Sequence, residues 1–110
     1  MAYSELLAQQ IRECIVPFQE NIVEKKMFGG LCFLYNNKMS VGIVKDELMV
    51  RIVSEKYEKI LENDSARAMD FNGKVMKDFV FVNENGFQTN ENLMEWVDLG
   101  IEHATRASLK

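Results

Sequence analysis

The sequence predicts an α+β fold, a two-layer sandwich in the order α-β3-α-β2-α with helices packed on an antiparallel sheet. Three observations predict it. Apolar residues near both ends recur every three or four positions, the spacing of a one-sided helix. The middle of the chain alternates apolar and polar residues around short Asn- and Gly-containing turns, which is hairpin chemistry and implies antiparallel pairing. The chain has 110 residues, 47% of them apolar and 27% charged, with no linker, repeat or low-complexity stretch. That size and composition suit one domain, residues 1–110, around one core.

The first helix is expected from about Ser4 to Val16. Ser4 is a good amino-terminal cap and Glu5 suits the positive end of the helix dipole. Leu7, Ile11, Cys14 and Ile15 fall on one face. Pro17, the only proline, biases Val16 out of helical geometry and ends the element. A strand block follows from Val23 to Tyr35, interrupted at Gly29-Gly30. Paired glycines there indicate a bulge, a sharp bend or two short strands. Gly-Gly alone lacks the lysine and spacing of a phosphate loop. Asn36-Asn37 tolerates the positive φ of a tight hairpin turn. Strands at Lys38–Val44 and Leu48–Val53 are joined by Lys45-Asp46-Glu47.

Ser54 is expected to cap a short helix, Glu55 to Glu62, with Tyr57, Ile60 and Leu61 inward. A second hairpin then reads from Ala68–Phe71 through Asn72-Gly73 to Lys74–Val82, since Asn-Gly is a strong hairpin signal. Asn83 to Gln88 is a polar loop. Thr89 or Asn90 caps a last helix running to about Arg106. Its stripe is Leu93, Trp96, Val97, Gly100, Ile101 and Ala104. Gly100 costs about 1 kcal/mol against alanine inside a helix, and close approach of another backbone would account for it.

Charge and composition narrow the function classes. The net charge is −4, whereas tight nucleic-acid binding rests on a basic excess. No apolar run approaches the ~20 residues of a membrane span. The start of the chain lacks the basic flank and apolar stretch of a secretory signal, so a cytoplasmic location is expected. Cys14 and Cys32 are too far apart in sequence for metal-type pairing and read as reduced core thiols.

No catalytic, cofactor or metal set emerges. His103 is the only histidine. Its place near the carboxyl end of a helix favours the charged form, and no serine or cysteine is tied to it by a recognised spacing. The acids Asp46, Glu47, Asp70, Asp78, Glu84 and Asp98 fall mostly in turns or on polar faces. Asp70, framed by Met69 and Phe71, reads as a structural hydrogen-bond or ion-pair residue. Lys25, Lys26, Arg51, Lys74 and Lys77 form a candidate basic binding patch, although edge lysines also protect a sheet from aggregation. Gly29, Gly30, Asp70 and Gly73 form the candidate structural motif. Phe28, Phe33, Phe71, Phe79 and Phe81 read as core rather than as a base-stacking sheet. Met27, Met39, Met49, Met69 and Met76 read as gap fillers.

The run Lys26-Met27-Phe28-Gly29-Gly30, then Lys38-Met39, Asp46-Glu47-Leu48 and Arg51, resembles the amino-terminal domain of the TfoX/Sxy competence regulators. So do Met69-Asp70-Phe71 with Gly73, the Phe79-to-Val82 strand, and the Leu93-to-Ala104 helix around Trp96. The resemblance covers nearly the whole chain. It implies a secretion-chaperone-like α-β3-α-β2-α architecture. It also implies a part in bacterial competence regulation, where full-length members act on transcription alongside a cyclic-AMP-responsive activator. Full-length regulators carry a second, carboxy-terminal domain, so this chain is expected to be the stand-alone form. The shared positions look structural, and the resemblance transfers no functional residue.

The resulting expectation is a non-enzymatic regulatory or protein-interaction module without cofactor or metal, with a protein partner that extends to transcription machinery. The alternatives are a small-molecule binder or enzyme anchored on Arg51 and Asp70, and weak, salt-dependent DNA binding through the basic patch. Strands apolar on both phases, with Phe79 and Phe81 on one and Val80 and Val82 on the other, suggest two buried faces. A homodimer through the open sheet face or the last strand is expected on that ground.

Overall fold

Capping and periodicity start the chain as expected. In a computed structural model, which describes residues 3–27, 29–71 and 73–108, α1 spans Glu5–Cys14 and the Ser4 hydroxyl accepts the Leu7 N–H at 3.1 Å. Leu7, Ala8, Ile11 and Ile15 are buried, while Cys14 is half-buried. Val16–Asn21 then forms a 3₁₀ turn, which the sequence reading did not include. Pro17 has no N–H to offer a continuing helix, but its fixed φ suits the first positions of a new turn. It therefore ends one helix and opens a tighter one.

Six strands follow in two blocks: β1 (Ile22–Met27), β2 (Gly30–Tyr35), β3 (Lys38–Val44) and β4 (Glu47–Arg51), then β5 (Ala66–Phe71) and β6 (Lys74–Val82). The helices α2 (Ser54–Leu61) and α3 (Asn90–Ser108) follow the first and second blocks. The sheet order is β1-β2-β3-β4-β6-β5, antiparallel throughout. The α+β class therefore holds, with four strands rather than three in the first block. Of the three readings of Gly29-Gly30, two short strands is the one realised. Met27 pairs with Gly30 across a two-residue turn, and Gly29 takes φ +76°. A Cβ on Gly30 would lie 1.8 Å from the Ile43 carbonyl oxygen, so β2 starts where a side chain has no room.

The other turns follow their residues. Asn36 and Asn37 both have positive φ, 50° and 68°, the type I′ pattern whose twist matches flanking strands. Phe71 pairs with Lys74 across the Asn72-Gly73 turn. Phe28 and Asn72 lie outside the described residues, as do the side chains of Met27, Phe71, Lys74, Met76 and Lys77. Ser54 is the first residue of α2 rather than its cap; Val53 occupies the cap position without a side-chain hydrogen bond. At α3 the Thr89 hydroxyl accepts the Asn92 N–H at 3.1 Å. The loop before it contains a 3₁₀ turn, Glu84–Phe87, tied to α3 by Trp96, whose Nε1–H donates to the Gly86 carbonyl at 2.9 Å.

The main core lies between the helices and one sheet face. There Phe33, Val41, Ile43, Leu48, Val50, Val80 and Val82 meet Leu7, Ile11, Leu93, Trp96, Val97 and Ile101. A bulge sets the central contact. The β2–β3 register shifts after Phe33, so that Phe33 faces Val41 and Leu34 faces Met39. Ser40 is the extra residue. It is fully buried, and its hydroxyl donates to the Phe33 carbonyl at 2.8 Å. Its own carbonyl points at α3, where a Cβ on Gly100 would come within 2.4 Å of the oxygen. The close backbone approach expected at Gly100 is this one.

The opposite sheet face carries a second apolar cluster of Cys32, Met39, Met49, Met69, Phe79 and Phe81. Phe79 and Phe81 are only 8% and 7% exposed. Guanidinium groups sit over both rings, Arg51 5.4 Å from the Phe79 centroid and Arg67 4.7 Å from the Phe81 centroid. The second apolar phase, taken from sequence as the ground for a homodimer, is thus buried within one chain.

Two substitutions check this packing in urea unfolding. Gly100→Ala should gain about 1 kcal/mol of helix propensity, yet lose more, because a methyl cannot fit against the Ser40 carbonyl and overpacking costs ~1–3 kcal/mol or above. A net stabilisation would contradict the contact. Phe81→Glu should destabilise the chain by at least the ~3–5 kcal/mol of losing a buried ring, at every protein concentration. Unchanged stability would mark Phe81 as a surface residue.

Candidate functional site

Polar side chains from several elements meet where β4 ends. Arg51 is its last residue, and buried Ile52 and Val53 lead directly into α2 at Ser54. Alongside, β6 departs from regular geometry. Asp78 has φ +72°, a conformation that Asp tolerates better than most residues. Its carbonyl accepts the Ile52 N–H at 2.6 Å. The irregular pairing of β5 with β6 spans the same stretch, so the strand kinks here. From the helix layer, α3 brings His103 and Arg106, three residues apart and so on one helix face. Arg51, Val53, Ser54, Glu55, Asp78, His103 and Arg106 line an open cleft of about 410 Å³.

The charges in the cleft are unevenly matched. Arg106 pairs with Glu55 and, at 3.1 Å, with Glu102, which also receives Lys56 at 2.7 Å. Arg51 has no carboxylate partner among the described residues; it rests on Phe79, and its buried Nε has no hydrogen-bond acceptor. His103 Nε2 lies 3.7 Å from Asp78 Oδ2, beyond hydrogen-bond range, and its buried Nδ1 has no partner. Burial pushes the His103 pKa below its ordinary 6.5, and the Arg51 charge pushes the same way, against the pull of Asp78. The sequence reading had the helix dipole favouring the charged imidazole. That fails because α3 continues to Ser108, which leaves His103 outside the last turn, where the dipole acts, and beside a cation.

Ser54, His103 and Asp78 are the residue types of a nucleophile, base and orienting acid. Here the imidazole hydrogen-bonds neither of the others, so no relay is assembled. The thiols are also unsuited to nucleophilic work. Burial raises Cys32 to about 11 and raises Cys14 as well, whereas reactive cysteines have lowered values. Among the described residues no group of three or more His, Cys, Asp or Glu side chains is placed to hold a metal ion.

The residues singled out from sequence scatter. Lys25 and Lys26 are exposed on the edge strand β1, on opposite faces, since Lys25 faces Cys32 and Lys26 faces Leu31 across the register. Arg51 lies three strands away, which is roughly 14 Å across a sheet. The backbones of Lys74 and Lys77 belong to β6, which pairs with β4 where Arg51 faces Phe79, so the group divides between β1 and the β4–β6 pair. Asp70 is exposed on edge strand β5 opposite Val75. It does not share the cleft with Arg51. Gly73 takes φ +80° and, like Gly29 and Gly30, serves a turn or strand start. Asp78, His103 and Arg106 were not grouped from sequence. One signal was present: an aspartate inside the Lys74–Val82 strand run, a residue type depleted in regular strands.

The model of the TfoX N-terminal domain family matches residues 14–104, which includes every strand, α2 and most of α3. No curated protein matches the chain.

The lone histidine makes the cleft's charge arrangement measurable. Its proton NMR titration should have a midpoint below 6.5. Arg51→Met should move that midpoint upward by removing a neighbouring positive charge. A folded-state pKa below the unfolded one means that the unfolded chain binds the extra proton. This contribution to stability is therefore complete above about pH 6.5 and is lost as pH falls below it. A midpoint at or above 6.5 in the wild type would contradict the placement of Arg51 beside His103.

Proposed function

We propose that this chain, which belongs to the TfoX N-terminal domain family, works as a non-enzymatic regulatory module that binds another protein. The family is not a known enzyme family. The observation that carries the reading is the outer side of α3. Glu91, Glu95, Asp98 and Glu102 follow one another at helical spacing, the first three exposed. Glu13 of α1 lies beside Glu91 in the same shallow recess. Residues 3, 4, 7 and 8 apart share one helix face, so these acids form a stripe on the side of α3 away from the sheet. Such a stripe favours a basic protein surface through electrostatic steering.

The same charge layout weighs against nucleic acid as the direct partner. Lys25 and Lys26 are far from Arg51, and the exposed charges of α2 alternate in sign, Glu55, Lys56, Glu58 and Lys59, so the described residues form no continuous basic track along which a phosphate backbone would lie. Self-association belongs to this proposal through a different surface from the one expected at first. Val23 is 57% exposed on β1, whose outer edge is the end of the sheet. A role in competence regulation is the biological form of the proposal suggested by the family.

Affinity capture from native lysate, with the wild type and a Glu91→Lys/Glu95→Lys/Asp98→Lys variant, tests the reading. A specific protein retained by the wild type and lost by the variant is the expected result. Capture of the same proteins by both, or of none, would overturn α3 as the interaction surface.

A further inference from the structure

We propose that the cleft between β4, α2, β6 and α3 binds the oxyanion group, phosphate or carboxylate, of a small metabolite, with Arg51 as its principal cation. This goes beyond the interaction module above and can fail independently of it. Arg51 is the first reason. A guanidinium partly withdrawn from water normally finds a carboxylate, because desolvating an unpaired charge is costly. Arg51 has none among the described residues, although acids are plentiful nearby. It is held over Phe79 with its Nε sealed off. The outer nitrogens of its fork are the ones left to receive a planar or tetrahedral oxyanion.

The neighbours of Arg51 are matched differently. The Glu55 carboxylate in the cleft is engaged by Arg106. Asp78 faces His103 rather than Arg51. The start of α2 opens into the same space with no side chain capping its first turn, and the Ser54 hydroxyl is beside it. The Lys56 N–H is accepted by the Val53 carbonyl at 3.0 Å, and an oxyanion seated against Arg51 would supply an acceptor for the Ser54 and Glu55 N–H groups before it. The volume, about 410 Å³, lies at the small end of metabolite pockets. Protonation of His103, flanked by Arg51 of β4, Asp78 of β6, Glu55 of α2 and Arg106 of α3, adds positive charge to the cleft. Anion binding therefore strengthens as pH falls below neutral, and a bound anion raises the histidine's titration midpoint.

The test titrates the full chain separately with inorganic phosphate, succinate and chloride at matched ionic strength, read by amide and His103 NMR shifts. Phosphate or succinate should move the Ser54 and Glu55 amides and raise the His103 midpoint, with tighter binding at pH 6 than at pH 8. The tighter of the two identifies the group as phosphate or carboxylate. Arg51→Met, which keeps an apolar stem on Phe79, should weaken binding at least about tenfold, the scale of one charged hydrogen bond. Arg51→Lys, retaining charge without the fork, should fall between, and it serves if the methionine variant does not fold. Lys25→Ala/Lys26→Ala should bind like the wild type. Effects no larger than those of chloride, or undiminished binding by both Arg51 variants, would overturn the proposal.

Discussion

The contact between the Ser40 carbonyl and Gly100 sets the spacing of the two layers. A helix normally stands off a sheet by the depth of its side chains. At this point α3 has none, and the bulge at Ser40 projects a backbone oxygen into the gap. The close approach lets Trp96, Val97, Ile101 and Leu93 reach down to Phe33, Val41 and Ile43. Ser40 is a buried polar residue, and burying it is affordable only because its hydroxyl is satisfied by the Phe33 carbonyl. One extra residue in β3 thus does two things: it shifts the phase of the strand and fixes the height of the helix.

The remaining stability resides in two apolar clusters on opposite sides of one sheet. The helix-side cluster is built mainly of aliphatics around Phe33 and Trp96. The other is rich in methionine and phenylalanine and has arginines stacked on its outer rings. Cation–π stacking is worth ~0.5–1 kcal/mol at exposed sites and more when desolvated. The surface ion pairs Arg12–Glu24, Lys56–Glu102 and Arg67–Glu47 matter less to stability, since exposed pairs contribute ~0–1 kcal/mol. Their effect is on orientation: Arg12–Glu24 joins α1 to β1, and Lys56–Glu102 joins α2 to α3.

Much of the fold was legible because local rules agreed with one another. Ser4 capped its helix, Asn36-Asn37 made its turn, Lys74–Val82 formed a strand over those residues, and the α3 stripe was buried at each of its positions. What escaped depended on tertiary context. A glycine pair is compatible with a bulge, a sharp bend or two short strands, and the close approach of the Ile43 carbonyl to Gly30 belongs to the last of these. Apolar residues on both strand phases indicate two buried faces without saying whether one chain or two will bury them. The cleft was the least legible part. Its residues come from three separate stretches of the chain, 51–55, 78 and 103–106, and no spacing rule links Arg51 to Asp78 or His103. The basic residues grouped from sequence divide between edge strand β1 and the β4–β6 pair three strands away.

Trp96 carries a practical consequence. It is the only tryptophan in the chain, it is buried in the main core, and its indole N–H is held by Gly86. Its fluorescence is therefore an intrinsic reporter of a specific event, the seating of α3 together with the 84–87 turn. A chain with a formed sheet but an undocked last helix would keep its strand signal in circular dichroism and lose the buried indole emission. The protein supplies its own optical probe for separating assembly of the sheet from closure of the helix layer upon it.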